Sequence, residues 1–212
     1  MNLRNSILIC FALAVCEISW GQTNKTNPVE IAFNGGVIGG VTLSQIHGDG
    51  IGGFNKLGFN FGAVVEMRNS TSKAFQIGVV FNEKGSRKTP NTQAGDYSTW
   101  AYRYRYIDIP LTMIYQYANI EGSIGLQPSL LIAAEFDNGY GYGPSPWEIY
   151  DFDLGWIIGL RTQYGEYSHI FTRLTQSAIS TGPAPDNPLT WLDRKTRNMT
   201  LEFGIIVLVK SL

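Results

Sequence analysis

The sequence predicts an all-β fold, an eight-stranded antiparallel transmembrane β-barrel. Three observations carry this prediction: apolar residues alternate with polar or small ones along most of the chain, several alternating segments are long, and short connections alternate with long ones. Globular strands are most often about five or six residues long, whereas a tilted membrane strand needs about 9–11. The long segments therefore favour strands that cross a membrane.

Each predicted strand pairs an apolar row with a polar or glycine-rich row. In the clearest case Trp156 and Ile158 alternate with Asp153, Gly155 and Gly159. Large residues fill nearly all of the apolar rows, as contact with lipid requires, and the polar rows suit a narrow interior. The alternative is a soluble, lipocalin-like ligand-binding barrel, in which the apolar rows point inward. The predicted strands are residues 33–44, 57–68, 75–84, 107–117, 120–132, 151–164, 168–176 and 199–209.

The connections between these strands alternate in length. Residues 68–73, 118–119 and 165–167 are short, while residues 45–56, 85–99, 137–149 and 177–196 are long. Outer-membrane barrels have short periplasmic turns at one end and long extracellular loops at the other. Four aromatic residues near the short turns belong to the apolar rows and are predicted to form an interfacial girdle: Phe75, Tyr115, Tyr117 and Tyr164.

The composition excludes several classes of protein. Only 16% of the residues are charged, and 16 basic residues balance 17 acidic ones, so the electrostatic footprint of a nucleic-acid-binding protein is missing. The hydrophobic content of 44% is too high for a disordered chain. The expected partners are therefore outer-membrane lipid and proteins of the envelope, with no nucleic acid.

The amino terminus predicts export. Residues 1–21 have the basic start, apolar run and small-residue cleavage site of a signal peptide, residues 22–32 a short periplasmic segment, and residues 33–212 the barrel. Such a chain is inserted into the outer membrane by the barrel-assembly machinery. Cys10 and Cys16 both lie in the predicted signal, so the mature chain has no thiol for disulfides, metal binding or catalysis.

Seven ionisable residues lie in the polar rows of the strands and are predicted to form a paired network that fills the lumen. The alternatives are an ion path or a ligand site that opens to one end. Because acids outnumber bases five to two, either carboxylates share protons or Lys84, Arg103, Arg105 and Arg173 contribute from the rim. No catalytic, cofactor-binding or metal site is predicted among them. The seven are Glu66, Arg68, Asp108, Glu121, Asp153, Arg161 and Glu202.

A short motif resembles a known family. Tyr106, Asp108, Pro110 and Leu111 stand in the segment Tyr-Ile-Asp-Ile-Pro-Leu, which is similar to a signature of the PorT-like outer-membrane β-barrel family of Bacteroidetes. The resemblance implies a non-enzymatic envelope protein with a structural role, or one accessory to secretion or uptake. Because proline lacks the N–H that a sheet needs, a bulge or bend is predicted near Pro110.

Other functions stay open as alternatives. His169 could serve an outer-membrane lipid-modifying enzyme, since small barrels of that class use His with Ser, although Ser168 is badly placed beside it. Gly48 to Gly53 match the spelling of a dinucleotide-binding loop, but strands flank them, so a flexible loop is predicted. The aromatic segment 137–144 with Trp147 and Tyr150 is either a recognition surface or packing above the rim.

Overall fold

The computed structural model describes residues 31–69, 72–90, 92–183 and 196–210. Within them, antiparallel strands form a single sheet, accompanied by a short 3-10 helix at Thr92–Ala94. No helix in the described part of the chain is long and apolar enough to cross a membrane. The strands are β1 (Ala32–His47), β2 (Lys56–Arg68), β3 (Lys73–Lys88), β4 (Trp100–Asp108), β5 (Leu111–Tyr117), β6 (Ile120–Asp137), β7 (Tyr142–Pro144), β8 (Phe152–Gln163), β9 (Ser168–Ser177) and β10 (Arg197–Lys210).

The strand pairing forms a closed circuit. The pairing runs from β1 through β2, β3, β4 with β5, β6, β8 and β9 to β10, and β10 pairs back with β1. Gly40 lies opposite Gly204 at the seam between β1 and β10. A Cβ on Gly40 would approach the carbonyl oxygen of Phe203 to 2.2 Å, so the two backbones are close enough there to require glycine.

The structure has ten strands within the described residues, where eight were predicted. The predicted strand 107–117 starts earlier, at Trp100, and is interrupted at Pro110. Asp108 and Leu111 keep one continuous register against β3 and β6 on either side of the break, so β4 and β5 occupy the same position in the circuit. Pro110 interrupts the strand because proline cannot donate to the ladder, but no register shift occurs there. The register shift that marks a bulge lies between Arg105 and Tyr106, against β6. The second strand beyond the predicted eight is β7, which is three residues long and pairs with β6.

The two faces of the sheet are opposite in character. Large apolar side chains point outward, with Phe61 55%, Ile124 63% and Leu160 54% exposed. Charged side chains point inward, and Glu66 and Asp108 are almost completely buried. A soluble barrel has the reverse arrangement, because its apolar side chains form the core. The apolar rows therefore form the outer surface, as the membrane prediction requires.

The connections separate the molecule into two ends. Among the described residues, the short-turn end consists of residues 69, 72, 118–119 and 164–167, and the long-loop end of residues 48–55, 89–90, 92–99, 138–151, 178–183 and 196. Short and long connections alternate as predicted.

The predicted signal peptide, residues 1–21, lies outside the described residues, as does most of the predicted segment 22–32. The structure is described from residue 31, and β1 begins at Ala32.

Candidate functional site

Four of the seven predicted interior residues meet at the short-turn end. Arg161 bridges two carboxylates, donating from NH2 to Glu66 Oε2 at 2.6 Å and from Nε to Glu121 Oε2. Arg68 NH2 approaches the remaining oxygens, at 2.9 Å from Glu66 Oε1 and 2.7 Å from Glu121 Oε1. Two acids and two bases therefore compensate one another in this group, which we call the charge cluster: Glu66, Arg68, Glu121 and Arg161.

The charge cluster borders a wide cavity. This cavity, about 790 Å³ in volume, lies at the short-turn end and is also lined by Asn34, Gln116, Gln163 and His169. His169 Nε2 lies 3.9 Å from Glu121 Oε2, and its Nδ1 is buried without a hydrogen-bond partner in the structure. The histidine therefore points into the interior rather than toward the outer, lipid-facing surface.

The other three predicted residues lie in a second group further along the interior. Asn82 donates to Asp108 Oδ2 and to Glu202 Oε1, each at 2.9 Å, and so links the two acids. Asp153 borders the same small cavity as Lys84 and accepts hydrogen bonds from Ser177 at 2.7 Å and Asn198 at 3.4 Å. The seven residues are thus divided between two places rather than joined in one network.

Two bases from the predicted rim set complete this second group. Lys84 Nζ lies 2.9 Å from Asp108 Oδ1, and Arg173 NH1 lies 3.8 Å from Glu202 Oε2. Arg103 and Arg105 do not take part, because they face outward and pair with Glu135 on β6. The prediction that Lys84 contributes from the rim is wrong, because only 2% of its side chain is exposed. Its place in the interior follows from β3 continuing to Lys88.

An apolar layer separates the two charged groups. Along β2, Val64 stands between Glu66 and Asn60, and along β3, Val80 stands between Gln76 and Asn82. A cavity beside this layer has a volume of about 20 Å³, room for about one water. The layer fills the side of the interior formed by β1, β2, β3, β9 and β10, and Arg161 and Arg173 both border the small cavity beside it. Sequence reasoning missed it because its members belong to the polar rows. They are Ile38, Val64, Val80, Phe171, Ile206 and Leu208.

The long-loop end contains a second cavity of different chemistry. Its volume is about 210 Å³, and aromatic rings from β4 and from residues 138–151 form its walls. Trp147 Nε1 donates to the Tyr102 hydroxyl at 2.6 Å, which fixes the tryptophan above Tyr102. We call this space the aromatic cavity; its main lining residues are Asp49, Trp100, Tyr102, Tyr104, Trp147 and Ile149.

Asp49 comes from the loop that has the spelling of a dinucleotide-binding motif. Strands flank this loop on both sides, as predicted, so the helix that such a motif requires is missing there. Asp49 Oδ1 accepts from the Ile51 amide at 2.9 Å, whereas Oδ2 is buried without a hydrogen-bond partner. Burial raises the pKa of this carboxyl group above its usual value. Sequence reasoning dismissed the loop and so missed this residue.

The remaining predicted residues lie as follows. In the motif Tyr106, Asp108, Pro110 and Leu111, the Tyr106 ring is fully buried below the aromatic cavity, with Lys84 Nζ 4.7 Å from its centre. The aromatic residues of the predicted girdle are all exposed on the outer face near the short-turn end: Phe75, Tyr115, Tyr117 and Tyr164.

Across the described residues, no group of three or more His, Cys, Asp or Glu could hold a metal ion.

An apolar exterior around a charged interior defines a membrane protein whose strands face lipid on the outside. The chain belongs to the family described as the outer membrane protein beta-barrel domain, which matches residues 20–177. This family indicates an outer-membrane location. No curated protein matches the chain by sequence.

Several solved structures are similar to the chain. The attachment invasion locus protein Ail of Yersinia pestis is 12% identical, with a TM-score of 0.47, over 84% of this chain and 99% of that chain. Neisserial surface protein A is 14% identical, with a TM-score of 0.45, over 84% of this chain and 98% of that chain. OprG from Pseudomonas aeruginosa is 10% identical, with a TM-score of 0.40, over 84% and 95%.

Proposed function

We propose that the protein is exported through a signal peptide and acts as a non-enzymatic, eight-stranded outer-membrane β-barrel with a structural or accessory role in the envelope. The observation that carries this proposal is the filled interior of the strand circuit, in which an apolar layer lies beside a compensated charge cluster. An interior filled in this way suits a stable scaffold that presents loops at its rim. In this proposal the long-loop end is extracellular and the short-turn end is periplasmic.

A conductance measurement tests the closed interior. The refolded protein, reconstituted into a planar bilayer at 1 M KCl, is expected to give no discrete current steps, because Val64, Val80 and Ile206 fill the path. The double variant V64G/V80G removes two of these side chains and serves as the positive control, with current steps expected. Discrete steps from the wild-type protein would overturn the closed interior.

The membrane assignment has its own test. The full chain is expressed with its predicted signal. The exported protein is expected to stay with the envelope after a salt wash and to be released only by detergent. A folded barrel also migrates differently on a gel before and after boiling. Release by salt alone would support the soluble ligand-binding barrel instead.

The accessory role rests on the resemblance to PorT-like proteins of Bacteroidetes, which is carried by Tyr106, Asp108, Pro110 and Leu111. An envelope or secretion protein is then the expected partner. A strain that lacks the protein is expected to lose secreted proteins from its medium or to become sensitive to detergent, and a plasmid copy should restore both. Normal secretion together with normal detergent resistance would contradict this role.

The proposal that the protein is not an enzyme is supported by the position of His169. A histidine at the lipid-facing surface could meet a lipid of the bilayer directly, but His169 points inward beside Glu121. Mass spectra of envelope lipids from strains that carry wild-type protein, His169→Ala protein or no protein are expected to be identical. A lipid species that depends on His169 would overturn the proposal.

A further inference from the structure

The aromatic cavity has the lining of a cation-binding site. Tyr102 and Tyr104 are only 5% and 4% exposed, while Trp147 is 57% exposed at the rim. The faces of tyrosine and tryptophan rings attract ammonium groups. Because the cavity opens beside the exposed Trp147, a ligand would enter from the long-loop side.

The charge of the lining has one sign. Asp49 and Glu148 line the aromatic cavity, and its described lining contains no lysine, arginine or histidine. Asp49 Oδ2 is buried and makes no hydrogen bond of normal geometry, although the Ser86 side chain lies close enough to favour the charged form. A buried carboxylate oxygen without a partner is unfavourable, and a cation would satisfy it.

The chain already places ammonium groups at both ends of this aromatic column. Lys84 Nζ lies 4.7 Å from the centre of the Tyr106 ring, and Lys88 Nζ lies 5.9 Å from that of Trp100. Each lysine is paired with an aspartate, Asp108 and Asp96 respectively. Among the described cation–aromatic contacts none involves Tyr102, Tyr104 or Trp147. The middle of the column therefore has no described lysine or arginine over its rings, and the carboxylate beside it, Asp49, has Ser86 and His47 as neighbours but forms no described ion pair.

We infer that the aromatic cavity binds a small organic ammonium ion, with its alkyl groups against Tyr102, Tyr104 and Trp147 and its charge balanced by Asp49. The volume of about 210 Å³ is below the roughly 300–1,000 Å³ of pockets for drug-sized ligands, so the site suits an ion of few carbon atoms. The inference goes beyond the proposed envelope role and does not depend on it.

The test compares a cation with a neutral molecule of the same shape. Choline and 3,3-dimethylbutan-1-ol are titrated into the refolded mature protein, and binding is followed by tryptophan fluorescence and by calorimetry. The protein is kept in a maltoside detergent, since phosphocholine detergents carry the group under test. Choline is expected to bind saturably and the neutral alcohol at least tenfold more weakly. Equal affinities, or no saturable binding of choline, would overturn the inference.

Variants test whether Asp49 and Trp147 form the binding site. Asp49→Asn is expected to weaken choline binding at least tenfold, and Trp147→Leu at least fivefold. Two control variants are expected to bind like the wild type: Asp151→Asn, an exposed acid at the same end, and Trp156→Phe, which faces outward. A heat-dependent shift on a gel shows that each variant is folded. Folded Asp49→Asn protein with wild-type affinity would overturn the assignment.

Discussion

The two ends of the interior differ in how their buried carboxylates are paired. At the short-turn end, Arg161 and Arg68 occupy all four carboxylate oxygens of Glu66 and Glu121. At the long-loop end, Asp49 has a buried oxygen without a partner in a cavity of aromatic rings. Charges that are compensated within the protein serve stability, whereas an uncompensated charge beside open space is available to a ligand. Substitutions at the two ends should therefore differ in size and in sign.

The largest effect is expected from breaking the charge cluster. Arg161→Met leaves Glu66 and Glu121 buried with only one base, and removing one partner of a buried ion pair lowers the free energy of unfolding by about 3–5 kcal/mol. Urea unfolding in lipid vesicles measures the change. Arg87→Met, at an exposed position, is the control and should change stability by less than about 0.5 kcal/mol. A loss below about 1 kcal/mol for Arg161→Met would show that the cluster is not a stabilising element.

Carboxylate-to-amide changes at the two ends give the most direct contrast. Glu66→Gln weakens charged hydrogen bonds to Arg68 and Arg161 and should lower stability by about 2–3 kcal/mol. Asp49→Asn removes a buried charge without a partner at Oδ2 and should leave stability unchanged or raise it by about 1 kcal/mol. The same unfolding measurement compares both. Equal losses from both variants would remove the distinction between the ends.

A backbone contact between the two ends is expected to have a smaller effect. A Cβ at Gly204 would lie 2.3 Å from the Gly39 carbonyl oxygen and 2.8 Å from Phe171 Cε1, so Gly204→Ala should lower stability by about 2 kcal/mol through overpacking. Gly35→Ala is the matched control on the neighbouring strand, because nothing lies within 4 Å of its added carbon. A similar result for both alanines would argue against the close approach of β1 and β10.

The smallest effect is expected in a turn of the short-turn end. Ala118 is the single non-glycine residue with a positive φ, 53°, in the described part of the chain. Ala118→Gly relieves this strain and should raise the free energy of unfolding by about 0.5 kcal/mol. Ala63→Gly, on the outer face of β2, lacks such strain and should lower stability by about 0.5–1 kcal/mol. Changes of the same sign in both variants would contradict this interpretation.

Much of the fold was predictable because alternation is a local property. The rows that contain Phe61 and Trp156 identified strands and their outer face, and connection lengths separated the two ends. The break at Pro110 was predictable from its missing N–H. The apolar layer was not predictable in this way, since Val64 and Ile206 stand in rows whose other members are mostly polar or glycine. Alternation along one strand shows on which face of the sheet a residue lies. It does not show which residues of other strands lie at the same height in the interior.

The candidate sites depended on those heights. Glu66 and Arg161 are 95 positions apart, and they meet because the pairing register sets both at one level. Asp49, Tyr104 and Trp147 come from three distant segments and share one cavity. Alternation along the chain was sufficient to establish the strands, the lipid-facing surface and the inward charges, because each follows from neighbours in sequence. The division of charges between clusters and the aromatic cavity follow from register around the closed circuit, which involves all strands together.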